Sequence, residues 1–330
     1  MEPPRPIDAL ASEATDALAL WPALPGLATP SARQTVLALA KDVGEGAVMA
    51  WPAAVPAARR RALEVHGAAL AAHLAAAQGA RGAPLLVLLN GAQGSGKSTF
   101  AALLTHYLPA LGLRCACLSL DDFYLGKAER AQRAETVHPL FQTRGVPGTH
   151  DVDALTAAVE AFLLPGAPLA LPQFDKALDD RAAAPRLQQR PADCLILEGW
   201  CVGAPPPDKE EPTAPLNALE ADADPDGRWR AAVDEALAGP YDALFRRFSG
   251  LIHLQVPSFE SVYEFREAQE AALRERSDRA MTPAAVRRFI AHYERLTRRQ
   301  LRRLPARADL VLRLAPDHAL VAVAGPGIQG

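Results

Sequence analysis

Two groups of residues in this chain have the types and spacing to do chemistry on a phosphorylated ligand. The first is Gly91-Ala92-Gln93-Gly94-Ser95-Gly96-Lys97-Ser98, followed by Thr99, which fits the pattern G-x-x-x-x-G-K-[ST]. Glycines let the main chain wrap closely around an anion, while successive amides and a helix N-terminus supply positive potential. Lys97 can reach β- and γ-phosphates, and Ser98 can ligate Mg²⁺. The competing reading is a flexible Gly/Ser turn. Against it, the octet directly follows the apolar run Leu85–Leu89 and directly precedes a helical stretch, the context that a phosphate-binding loop needs. Residues 91–99 are therefore expected to hold ATP, with Lys97 also taking part in catalysis.

The second group consists of carboxylates that end apolar runs. One run closes Leu118-Ser-Leu-Asp121-Asp122-Phe123-Tyr124, and another, Asp193-Cys-Leu-Ile-Leu197, closes on Glu198-Gly199-Trp200. Open α/β sheets bind ligands at the carboxyl ends of their strands. Phosphoryl transfer to an alcohol needs a carboxylate to orient and deprotonate the hydroxyl, and another to hold Mg²⁺ directly or through water. A helix N-cap is the alternative for the aspartates. Glu198 takes a Walker B position, with Glu in place of Asp. Between these runs lie Phe141-Gln-Thr-Arg144-Gly-Val-Pro-Gly-Thr-His150-Asp151 and Leu171-Pro-Gln-Phe174-Asp175-Lys176. Polar side chains on Gly/Pro-defined turns suit a small hydroxy acid, with Arg144, His150 and Lys176 available to meet a carboxylate. Surface ion pairs or caps are the competing assignment for each.

The elements that position these groups follow from hydrophobic patterning. Leu85–Leu89, Leu113–Leu120, Cys194–Leu197 and Leu251–Val256 read as buried strands with helical stretches between them. Strands alternating with helices imply an α/β, doubly wound, mainly parallel sheet in three layers. The pairs 310–314 and 319–324 read as edge strands. Residues 1–80 are Ala/Leu-rich and cut by prolines into a helical N-terminal extension, with an amphipathic helix that carries His66 and His73 on its surface. Residues 203–227, rich in Pro, Asp and Ala, read as a loop insertion. A charged helical pattern runs from about Phe259 to Arg303. Its part near 265–290, with Arg274, Arg276 and Arg279, suits a lid that closes over ATP, a solvated Glu/Arg helix being the alternative. The further arginines from Arg287 to Arg303 form a basic stripe, but neighbouring acids and few interleaved aromatics argue against nucleic acid.

Bulk composition adds exclusions. The chain has 330 residues and a formal net charge of −3, which offers no general attraction for nucleic acid or anionic membrane. No apolar run approaches the ~20 residues that span a bilayer, and the start has no export signal. Cys115, Cys117, Cys194 and Cys201 lack metal-ligand spacing with histidine and read as reduced thiols. A cytoplasmic location is expected.

Taken in order, Gly91–Thr99, Ser119–Tyr124, Thr143–Asp151, Leu171–Lys176 and Leu197–Trp200 resemble the plant-type D-glycerate 3-kinase family and its bacterial relatives. More loosely, they resemble uridine kinase, pantothenate kinase and phosphoribulokinase. The resemblance runs from about residue 84 to the C-terminus and implies a P-loop kinase domain over 81–330. It implies that Asp121 is the general base and that Glu198 helps to hold Mg²⁺. It also places Asp122, Tyr124, His150, Asp151, Asp175 and Lys176 around the acceptor, His150 and Asp151 opening a substrate-facing helix. Where the plant enzymes carry Gly-Arg-Gly-Asp-Arg after the Asp-Lys pair, this chain has Ala177-Leu-Asp-Asp-Arg181. Three functions stay open: a glycerate kinase, a related kinase with another small acceptor, and an NTPase without one. A nucleoside acceptor would call for a stacking aromatic such as Phe123, Tyr124, Phe174 or Trp200.

Overall fold

The computed structural model describes residues 14–42, 55, 57–164, 166–190, 193–208, 211–274 and 280–329. Its centre is a six-stranded sheet of order β10-β9-β8-β1-β7-β2. The strands are β1 (Leu85–Gly91), β2 (Cys115–Ser119), β7 (Cys194–Gly199), β8 (Gly250–Gln255), β9 (Leu310–Leu314) and β10 (Leu320–Ala324). All neighbours run parallel except the edge pair β9 and β10. Two short ribbons, β3 (Leu169–Leu171) with β6 (Arg186–Gln188) and β4 (Phe174–Asp175) with β5 (Asp180–Arg181), stand outside it.

The apolar run of β1 is continuous because both of its faces are covered. Leu85, Val87 and Leu89 enter one core cluster, and Leu86 and Leu88 enter the other. The first cluster lies under α1 (Pro30–Asp42), α2 (Ala57–Arg81), α3 (Lys97–Ala110) and α8 (Phe259–Arg274). On the opposite face lie α5 (Val152–Phe162), α7 (Arg228–Ala236) and much of α10 (Glu294–Arg303). Two further helices, α4 (Lys127–Thr136) and α6 (Ala218–Ala223), precede α7, and α9 (Pro283–Ala291) lies between α8 and α10. No described helix is long and apolar enough to cross a membrane.

Three readings of the sequence change here. His66 and His73 are buried rather than on a helix surface. The reason is that residues 14–42 fold back over α2, so that Trp21 Nε1 donates to His66 Nδ1 at 3.1 Å and His73 Nδ1 meets the Pro25 carbonyl at 3.1 Å. The pattern from 259 to 303 is divided among α8, α9 and α10, with Thr282 capping α9 ahead of Pro283. Segment 203–227 contains α6 and is tied down by the basic stripe. Arg295 binds Glu220 and the carbonyls of Pro212 and Ala214, Arg299 binds Glu211 and Asp234, and Arg303 binds the Pro206 carbonyl.

A buried polar knot joins the carboxyl ends of the central strands. Asn90 Nδ2 donates to the carbonyls of Trp200 (3.2 Å) and Val202 (2.8 Å) and to Gln300 Oε1 (2.6 Å). Its Oδ1 accepts from His253 Nδ1 at 2.7 Å, and burial pushes this imidazole down to about 4, keeping it neutral. The residue before the phosphate loop is thus bonded to β8, to the turn after β7 and to α10. Replacing Asn90 with alanine leaves several buried groups unmatched, and urea denaturation is expected to read a loss of about 3 kcal/mol. A loss within ~0.5 kcal/mol would show that the knot does not hold the strand ends.

Candidate active site

The phosphate-loop sequence folds as its residue types require. Gly94 and Gly96 have φ of 78° and 88°, in the left-handed region where side chains are disfavoured. A Cβ on Gly94 would lie 2.7 Å from Phe265 Cβ, so α8 rests directly on the loop. Ser95 N donates to the Ala92 carbonyl at 3.1 Å, closing the turn, and α3 begins at Lys97 with no acidic residue in its first turn. The N-terminal positive end of α3 therefore faces a space uncompensated by its own carboxylates. That space is a cavity of about 460 Å³ whose walls include Gln93 through Phe100, Asp121 and Lys176.

Asp121 reaches the cavity from a single turn of 3₁₀ helix, Leu120–Phe123, that follows β2. Lys176 Nζ donates to its Oδ2 at 2.6 Å, and the Tyr124 hydroxyl donates to its Oδ1 at 3.1 Å. Burial pushes the Asp121 carboxyl up, but the charges of Lys176 and Lys97 outweigh it and hold the group below the usual carboxylate range. Asp121 is therefore ionised and oriented, with its charge matched by cations on both sides.

Glu198 ends β7 beside both of the other functional strands: it is in register with Leu89 of β1 and with Ser119 of β2. The Ser119 hydroxyl donates to Glu198 Oε1 at 2.6 Å, while Oε2 is buried without a partner among the described residues. A buried carboxylate oxygen left open, together with the exposed Ser98 hydroxyl at the start of α3, is an oxygen donor set suited to a hard cation such as Mg²⁺.

The remaining sequence candidates divide by what they touch. Tyr124 stacks on His150, with ring centroids 4.4 Å apart, and meets the edge of Phe174. His150 is buried; the Tyr241 hydroxyl accepts from Gly148 N and lies 2.7 Å from His150 Nδ1, leaving Nε2 without a partner among the described residues. Burial pushes this imidazole down to about 3, against the pull of Asp121, so any carboxylate it met would find a neutral N–H rather than a cation. Asp151 caps α5 through Ala154 N at 3.0 Å and takes Arg181 at 3.1 Å. Asp175 accepts from the amides of Ala177 and Leu178, which makes it the organiser of its own turn. Asp122 lies 3.9 Å from Arg186, and burial raises its carboxyl.

Arg144 does not stand free. It binds Asp179, which also takes Arg130 Nη2 at 2.6 Å, and both guanidinium groups lie over the Phe174 ring. Asp179 has a φ of 55° and belongs to the Ala177–Arg181 stretch that follows the Asp175-Lys176 pair. In α8, Arg266 lines the cavity, whereas Arg274, ~12 Å further along the helix, binds Glu267 and the Met281 carbonyl. Arg276 and Arg279 lie outside the described residues.

Removing the Lys176 charge deletes a downward pull on Asp121 and leaves burial to push upward. In Lys176→Met the Asp121 carboxyl is expected to titrate at higher pH than in the parent protein, followed by carboxyl-detected NMR. Because the parent carboxyl is depressed, its contribution to stability is present above the ordinary carboxylate range and lost as pH falls through its folded value. The variant should lose that acid-range dependence, and an unmoved titration would mean that Lys176 does not set the charge of Asp121.

No family model matches the chain. Among curated proteins, the uncharacterized kinase mug58 of Schizosaccharomyces pombe is 31% identical over 228 residues, covering 64% of this chain and 79% of that protein. The chloroplastic D-glycerate 3-kinase of Arabidopsis thaliana is 26% identical over 223 residues, covering 64% of this chain but only 46% of the plant protein. Among solved structures, YGR205w superimposes with a TM-score of 0.60 at 25% identity, over 73% of this chain and 89% of that one. The D-glycerate 3-kinase of Cryptococcus neoformans gives a TM-score of 0.60 at 22% identity, over 89% of this chain and 98% of that one, a likeness of fold.

Proposed function

This chain belongs to the P-loop kinase family that includes D-glycerate 3-kinase, and on that premise we propose that it transfers the γ-phosphoryl group of ATP to D-glycerate, giving 3-phosphoglycerate. The observation that carries this reading is the Asp121 carboxylate, held by Lys176 and Tyr124 on the wall of the phosphate-loop cavity. A phosphate-binding loop alone would serve any NTPase. An ionised carboxylate facing the same space gives an acceptor hydroxyl a group to orient it and take its proton.

In the proposed reaction the loop amides and Lys97 hold the β- and γ-phosphates. The acceptor hydroxyl gives its proton to Asp121 as its oxygen bonds to the γ-phosphorus. The bond from that phosphorus to the β–γ bridging oxygen breaks, and ADP leaves. Ser98 and Glu198 would hold Mg²⁺, which when bound neutralises charge on the phosphates. Lys176 has three donors, of which Asp121 uses one, so the same ammonium can also take the acceptor's carboxylate. Arg266, on the cavity wall from α8, is the described lid arginine in this scheme. Four free cysteines suit a reducing compartment such as the cytoplasm.

A nucleoside acceptor fits less well. Phe123, Tyr124, Phe174 and Trp200 are all buried, and their surroundings are occupied: Tyr124 by His150, Phe174 by two guanidinium groups, and the Trp200 indole N–H by the Gly145 carbonyl. One observation favours a second reading, another small sugar acid. The loop that differs from the plant enzymes contributes Asp179, which already occupies Arg144.

ATP consumption with Mg²⁺ against D-glycerate, L-glycerate, uridine, pantothenate and no acceptor tests the proposal. Turnover is expected with D-glycerate alone. Asp121→Asn should lower kcat by ~10²–10⁴-fold, the usual worth of a positioned general base, and Lys97→Ala should abolish turnover. Equal hydrolysis in every tube, untouched by Asp121→Asn, would contradict the kinase reading.

A further inference from the structure

The helical segment ahead of the sheet contributes to the cavity itself. Val55, Arg59 and Leu63, at and near the start of α2, line the same space as the phosphate loop, together with Leu314 and His318 from the end of β9 and the turn after it. Three consecutive arginines, Arg59, Arg60 and Arg61, stand within the first five residues of α2, where the helix dipole disfavours cations and where the first turn itself holds no acidic residue. Arg61 has a structural reason to be there: it binds the Ala40 carbonyl and lies 3.7 Å from Glu64. Arg59 has none of that kind. Its Nε is buried without a hydrogen-bond partner among the described residues, and burial lowers its affinity for the proton against the partial help of Asp317.

His318, whose imidazole feels the Arg59 charge, is held rigidly. Its backbone has a φ of 66°, its ring stacks on Phe265 with centroids 3.5 Å apart, and its Nε2 meets the Gly94 carbonyl at 2.9 Å. Burial keeps this imidazole on the neutral side, so Nε2–H is the donor to that carbonyl. The cavity thus has two ends. One is polar, with the loop amides, Lys97, Asp121 and Lys176. The other has aliphatic walls from Val55, Leu63 and Leu314, a fixed aromatic ring, and an under-partnered guanidinium plane.

We propose that the second end is the nucleoside site, and that Arg59 of the N-terminal helical segment lies against the base and ribose of the bound nucleotide. A flat purine satisfies what this end offers: apolar contact on its rim, and a face for the guanidinium plane, which stacks on π-systems as an ammonium does not. The inference rests on the reading that the cavity takes a nucleotide, and it gives α2 a part in binding as well as in the core.

Calorimetric titration of the full chain with Mg·ADP and with Mg·pyrophosphate, without any acceptor, tests it. In Arg59→Ala the affinity for ADP should fall about 10-fold, the size of one guanidinium–π contact, while pyrophosphate affinity and Tm stay unchanged. Arg59→Lys should lose nearly as much. Unchanged ADP binding, an equal loss for ADP and pyrophosphate, or full rescue by lysine would each overturn the proposal, the last two by reducing Arg59 to a point charge. A parent protein that binds neither ligand would remove the nucleotide reading and this inference together. Failure with D-glycerate would leave both intact, because no acceptor is present.

Discussion

The parallel register of β1 with β7, Leu89 opposite Glu198 and Asn90 opposite Gly199, is the constraint on which the site depends. It brings the start of the phosphate loop and the Glu198 carboxylate to one edge of the sheet. The register of β2 with β7 adds Ser119 opposite Glu198, so Asp121 follows only two residues beyond that point. Both faces of β1 are apolar and covered, so its leucines alone do not discriminate a slip of one residue, and the polar Asn90 is the residue whose partners do. Asn90 then locks the strand ends through hydrogen bonds that no apolar residue could replace.

Around this edge nearly every charge on the acceptor side is matched within the protein. Lys176 is on Asp121, Arg144 and Arg130 are on Asp179, and Arg181 is on Asp151. Such matching keeps a crowded set of titratable groups folded at modest cost, because each ion keeps a partner when it leaves water. It also sets the terms of recognition. An acidic acceptor must share or exchange these partners rather than meet a waiting cation, and Lys176, with its side chain 61% exposed, is the one with freedom to do so.

Much of the fold and the phosphate end of the site was legible because their signals are local. A short apolar run, a glycine-rich octet and a helical stretch follow one another from Leu85 to Leu108, and the structure has β1, the loop and α3 there. Asp121 and Glu198 were legible for the same reason, as acids at strand ends. What was illegible depends on distant partners. Nothing near His66 announces Trp21, 45 residues away, and nothing near Arg144 announces Asp179, 35 residues away. Nothing near His150 announces Tyr241, 91 residues on, whose hydroxyl meets its ring. Arg266 and Arg274 are alike in sequence, and only the tilt of α8 over Gly94 makes one of them line the cavity. Nothing in the sequence around Arg59 sets it apart from Arg60 and Arg61, and only its place beside Leu314 and His318 does so.

If this constellation moves phosphate onto a terminal hydroxyl of a small acid, the phosphorus-containing product carries the signature of that hydroxyl. In ³¹P NMR of a reaction containing the protein, Mg·ATP and D-glycerate, ADP is expected together with a new phosphomonoester split into a triplet by an adjacent methylene, as 3-phosphoglycerate requires. A doublet would mean transfer to the secondary hydroxyl and a different seating of the acceptor against Asp121. ADP with inorganic phosphate and no phosphomonoester would mean that water, not the acceptor, takes the phosphoryl group, and would rule out the kinase reading.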